Sequence, residues 1–198
     1  MTSTIFRIGA FSTNNEEYPP ISIIQKFFVA SICRNISYIK ENHVEFEHTL
    51  SNSFNEIHTN FIQILNYDKG YNICNCADCF IVFIDLECKK SESNYENIVH
   101  FISDKCNIDK TIFLLSFITQ EDNEKEYNLK KENVFTDIIS KTNLHYEFLE
   151  IHLYDQENLV KNIETVFTQC LEIKLNLHRS RLEDEHNDNN GSSGCLIY

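Results

Sequence analysis

The runs Thr4–Ile8, Cys79–Leu86 and Thr111–Ile118 are apolar with little polar interruption, the pattern of short strands buried on both faces. His43–Leu50 and His58–Leu65 are extended runs flanking the polar "SNSFNEI", and together they predict an antiparallel hairpin. "YEFLEIHL", from Tyr146, predicts a last strand. Elsewhere the apolar residues recur at helical spacing. Ile21–Cys33 reads as a helix presenting Ile21, Ile24, Phe28 and Ile32, with Pro19 and Pro20 at its start, where a missing N–H costs nothing. Ser91–Cys106 opens with Ser/Glu cap chemistry and places Tyr95, Ile98, Val99 and Ile102 on one face. "KKENVFTDIISKT" predicts a helix with Val134, Phe135, Ile138 and Ile139 inward, and the final helix, about Asn158 to Leu177, carries Leu159, Ile163, Val166, Phe167, Cys170 and Leu171 as its buried stripe.

Strands alternating with helices at this spacing imply parallel crossovers. The expected fold is α/β, a mostly parallel six-stranded sheet with one antiparallel edge strand and helices on both faces. From His178 onward the apolar period is lost until the last residues, so the expectation is one domain over 1–177 and a flexible tail over 178–198.

Composition narrows the function classes. The chain has 198 residues and is 42% hydrophobic, enough for one full core. It contains no apolar run long enough to span a bilayer, and "MTSTIFRIG" lacks the basic start of a signal peptide, so a cytoplasmic protein is expected. Its eight cysteines are then read as thiols, most of them core. A formal charge of −13 without a basic block argues against nucleic acid, whose binding depends on clustered Lys and Arg. Of four glycines, two (Gly191 and Gly194) lie in the tail. That leaves Gly9 and Gly70 for the folded part, very little for a backbone that must wrap phosphates closely.

The element order and several local stretches resemble the Ras superfamily of small GTPases. "IQILNYDKG" (Ile62–Gly70) is similar to the strand entering that family's second switch. "ADCFIVFIDLECKKSESNYENI" (Ala77–Ile98) is similar to its fourth strand and following helix, and "FLEIHLYDQENLVKNIETVFTQCLEI" (Phe148–Ile173) to its last strand and helix. The resemblance implies a small-GTPase-like fold and gives each nucleotide element a place to be checked. Where the phosphate loop belongs, the chain has Gly9, Ser12, Thr13, Asn14, Asn15 and Glu16, with Gly9 kept but no Gly-Lys-Ser/Thr after it. Glu16 and Glu17 stand where the family places a cation, and carboxylates there repel phosphate; their own reading is a solvated loop. The switch positions are Asn66, Asp68 and Gly70, with Tyr71 in place of a water-positioning glutamine. The base-reading Asn-Lys-x-Asp is replaced by Ser116, Phe117, Ile118, Thr119 and Gln120, and Ser-Ala-Lys by His152, Leu153 and Tyr154. These elements read as remains of a nucleotide site. No catalytic residue, metal or cofactor is expected; the alternative is an unorthodox but working switch in signalling or vesicle traffic, using GTP or GDP with Mg, and a further alternative is a structural subunit of a larger complex.

Cys74, Cys76 and Cys79, with His43 or His58, have zinc-ligating chemistry but not the spacing of a common finger, and Cys79 is read as core. A cysteine could also pair with a histidine as a nucleophile, but no nucleophile elbow surrounds any Cys or Ser. Cys195-Leu196-Ile197-Tyr198 has the form of a C-a-a-X box, which makes Cys195 a candidate prenylation site despite the unusual terminal tyrosine. The acidic "LEDEHNDNN" upstream supplies no polybasic second signal for a membrane. In the family, partners read the first switch and the neighbouring hairpin edge. The matching stretch here, Arg34–Phe54, is the expected surface for a protein partner.

Overall fold

The computed structural model describes residues 4–50, 56–65, 76–88, 90–105, 112–119 and 146–191. Its elements are β1 (Thr4–Ser12), α1 (Pro20–Ala30), β2 (Cys33–Lys40), β3 (His43–Thr49), β4 (Glu56–Gln63), β5 (Cys79–Asp85), α2 (Ser91–Lys105), β6 (Ile112–Ile118), β7 (Tyr146–His152) and α3 (Gln156–Gly191). The strands form a sheet of order β2-β3-β4-β1-β5-β6-β7. β1 is parallel to β4 and β5, and the parallel ladder continues through β6 to β7. Among the described strands only β3 runs against its neighbours, antiparallel to both β2 and β4.

The expected hairpin is β3–β4, but among the described residues the sheet has seven strands where six were expected, and the reversed strand lies inside it. The added strand, β2, falls where the predicted first helix ends and the partner-facing stretch begins. All its residues after Cys33 are exposed, so it carries none of the apolar alternation that marks a half-buried strand. α1 stops at Ala30, where the Ser31 hydroxyl and amide both return to the Phe27 carbonyl. Its buried face is therefore Ile21, Ile23, Ile24 and Phe27, while Ile32, expected inside, is 73% exposed beyond the helix end.

Alternate residues of the central strands point to opposite faces. Ile8 and Ala10 of β1, Ile81 and Phe83 of β5, and Phe113, Leu115 and Phe117 of β6 join α1 and α3 in one core. Phe11, Phe80, Val82, Ile84 and Leu114 join Tyr95, Ile98 and Ile102 of α2 in another. The predicted stripe of the last helix, from Leu159 to Leu171, is buried throughout. α3 itself is longer than expected, running to Gly191 where a tail was read from His178. The extension, "HRSRLEDEHNDN", contains neither Gly nor Pro and several good helix formers, so intrinsic propensity carries the helix past the apolar stripe that suggested its end. The helix expected over 130–142 lies outside the described residues.

Candidate functional site

In open α/β sheets the ligand crevice lies beyond the carboxyl ends of the strands. Here that position is formed by the loop between β1 and α1, residues 13–19, together with the ends of β5 and β6. Thr13 is fully buried and spends every polar group on its own chain. Its amide donates to the Phe83 carbonyl at 2.9 Å, and its carbonyl accepts from Asn94 Nδ2 of α2 at 2.7 Å. Its hydroxyl oxygen accepts from the Asp85 amide at 2.9 Å and from the Ser91 hydroxyl. Asn14 Nδ2 donates to Asp85 Oδ2 at 2.8 Å, while Asp85 Oδ1 accepts from the amides of Glu87 and Cys88 at 2.9 and 3.2 Å.

A phosphate-binding loop works because successive backbone N–H groups point at the ligand. In this loop the amides of Thr13, Asn14, Glu17 and Tyr18 are already committed, to Phe83 O, Ser12 Oγ, Asn14 Oδ1 and Asn14 O respectively. Asn15 adds a buried Oδ1 without a hydrogen-bond partner among the described residues. The surroundings are acidic. Burial pushes the Tyr18 phenol up, and Glu17, Asp85 and Glu87 push it the same way. The Tyr18 ring packs edge-on against Phe117 at 5.1 Å, and Thr119 Oγ1 donates to Glu87 Oε2 at 3.1 Å. The carboxylates of Glu17, Asp85 and Glu87 and four committed amides therefore crowd this edge of the sheet.

Gly9, expected at the head of the loop, is inside β1, opposite Ile62 and Phe80. A Cβ there would stand 2.8 Å from two ring atoms of Phe80, so glycine is required by a close approach of side chain to backbone rather than by a phosphate. Ser12 ends the same strand, and Glu16 lies exposed in the loop. Ser116 and Phe117 are fully buried in β6, Ser116 between Ile84 and Glu150, so neither is a loop residue facing a base. Thr119 follows the strand; Gln120, Asn66, Asp68, Gly70, Cys74 and Cys195 lie outside the described residues. Cys79 is core, its Sγ 3.0 Å from that of Cys170 on α3, while Cys76 is exposed. His43 and His58 stay on the hairpin, beside Glu45 and Glu47. Among the described residues no three metal-ligating side chains converge so as to hold a metal ion.

The sequence reading missed a buried pair. His48 Nε2 lies 2.8 Å from Glu164 Oε1, joining β3 to α3. The signal was available: Val44, Phe46 and His48 share the inward face of β3 at period two, and Glu164 lies inside the stripe from Ile163 to Phe167. Each polar group on an apolar face implies the other.

No family model and no curated protein matches the sequence. Among solved structures, the chain is similar to the translation elongation factor SelB of Methanococcus maripaludis, solved in complex with the GTP analogue GppNHp. The two share 12% identity at a TM-score of 0.57, over 87% of this chain. This chain corresponds to 35% of the length of that one, about a third. The likeness is one of fold, and by it this α/β chain has a GTPase-like architecture.

Proposed function

We propose that this chain is a divergent, Ras-like member of the GTPase fold that has given up nucleotide chemistry and serves as a protein-interaction module with a fixed rather than switched surface. The observation that carries this reading is the commitment of the amides of Thr13, Asn14, Glu17 and Tyr18 to the chain's own acceptors. Without a terminal phosphate to order or release the loops, the fold has no switching input of the usual kind. The partner surface is the stretch Arg34–Phe54. Its β2 portion is an exposed sheet edge carrying Ile36, Tyr38 and Ile39, and Val29 and Ile32, just before it in the chain, are exposed too. Such an edge suits a partner protein that covers aromatic and aliphatic side chains. A lipid on Cys195 would bring the module to a membrane face, and the mass of the protein made in eukaryotic cells, with and without a Cys195→Ser change, tests that part.

The function is tested by denaturing purified protein, analysing the supernatant for guanine nucleotide, and titrating labelled GDP and GTP with magnesium. The expected outcome is no released nucleotide, no binding and an unchanged melting temperature, since a ligand raises stability only where it binds the folded state. Near-stoichiometric release of GDP or GTP would make the chain a working switch instead. Purified chain that aggregates unless another subunit is co-expressed would favour a structural part of a larger complex.

A further inference from the structure

The Cys33 thiol stands at the head of an array that the nucleotide site does not use. Its Sγ is 3.8 Å from His48 Nδ1 and 3.3 Å from the Ser31 hydroxyl. The far side of the same imidazole, Nε2, is held at 2.8 Å by Glu164 Oε1. Phe27 packs edge-on against the ring at 5.1 Å and Phe167 lies tilted at 6.3 Å, so its orientation is fixed by packing as well as by the carboxylate. These residues come from the start of β2, the end of β3 and the third turn of α3, and only the fold brings them together. Nucleophile, base and a group that orients the base, each within reach of the next, is the arrangement that activates a thiol.

The structure assigns Cys33, we propose, as a base-assisted nucleophile: a covalent modification site for soft carbon electrophiles of the α,β-unsaturated carbonyl class. In the tautomer that donates Nε2–H to Glu164, Nδ1 carries a lone pair and lies between the Cys33 sulfur and the Ile32 carbonyl. As the S–C bond forms and the electrophile's C=C π bond breaks, the thiol proton passes to Nδ1. The imidazolium so formed finds two acceptors in place, Glu164 Oε1 and the Ile32 carbonyl 3.3 Å from Nδ1. The proton is then delivered to the enolate carbon, which closes the balance without an oxidant or a leaving group. Burial and the Glu164 charge hold the Cys33 thiol up while the Ser31 hydroxyl acts against them, so reactivity here comes from the base at the moment of attack and not from a standing thiolate. Glu164 also forms part of the wall of an open pocket of about 700 Å³ between Ala30 and the first turns of α3, next to the array.

The test uses the full chain and N-ethylmaleimide in limiting amount, with modification at each cysteine followed over time by peptide mass spectrometry. Cys76, which is exposed, is the internal reference. Cys33 is expected to react several-fold faster than Cys76 despite its partial burial, and Glu164→Gln to lower the Cys33 rate about tenfold while leaving Cys76 unchanged; Glu164→Asp, which keeps the carboxylate, should restore part of it. A Cys33 rate at or below that of Cys76 in the unaltered protein overturns the proposal, as does a fast Cys33 that is indifferent to Glu164→Gln. If a variant unfolds, shown by labelling of buried Cys79 and Cys170, the rate ratio in the unaltered protein still decides.

Discussion

Two positions carry more than their size suggests. Gly9 lets the Phe80 ring lie against the backbone of β1, and a methyl group there would meet the ring at 2.8 Å, in the middle of a strand paired on both sides. Gly9→Ala is expected to destabilise the protein by about 1–3 kcal/mol, the usual cost of overpacking a core, with Phe80→Leu in the same chain recovering part of it; denaturant unfolding measures both. Tyr18 is held neutral by burial and by Glu17, Asp85 and Glu87. Because its folded pKa is raised, its contribution to stability is complete below about pH 10, the value for an unfolded tyrosine, and is lost as pH rises from there through the folded value. Tyr18→Phe should therefore flatten the fall of unfolding free energy above pH 10, read from denaturant midpoints across that range, and should remove a late-ionising phenol from the absorbance titration.

The continuous apolar runs were legible as β5 and β6 because burial on both faces favours a nearly unbroken apolar run. The stripe of α3 was legible for the same reason, since every residue in it is buried. β2 was not legible: an edge strand with both faces in water leaves no hydrophobic period to read. Its irregular pairing with β3, shifted between Arg34 and Ser37 and again between Tyr38 and Lys40, with Asn35 at a φ of 51°, blurs the strand further. The candidate site was readable as the loss of a motif, but not as a positive structure. That Thr13 would bond Phe83, Asp85, Ser91 and Asn94 depends on contacts between residues far apart in the chain. The start of α3 is more local in origin. Asp155 Oδ1 accepts from the amides of Glu157 and Asn158 at 3.0 and 3.2 Å, a side-chain cap on the first turn. Asp155→Ala should cost about 1 kcal/mol, seen as a lower denaturant midpoint at unchanged slope.

The arrangement of the sheet also bears on how the chain acquires its structure. β1 is made first but lies at the centre, and its Ile8 must find Phe61 on one side and Cys79 on the other. The ladders available early are those of consecutive strands, β2 with β3 and β3 with β4, closed by short connections. Parallel pairings between distant segments carry a larger loop-closure entropy, and chains dominated by them fold slowly. During synthesis the meander of β2, β3 and β4 can assemble while β1, with Phe6, Ile8, Ala10 and Phe11, still lacks one of its two flanking strands. Until β5 emerges, one whole edge of β1 is therefore left without its ladder, a consequence of strand order.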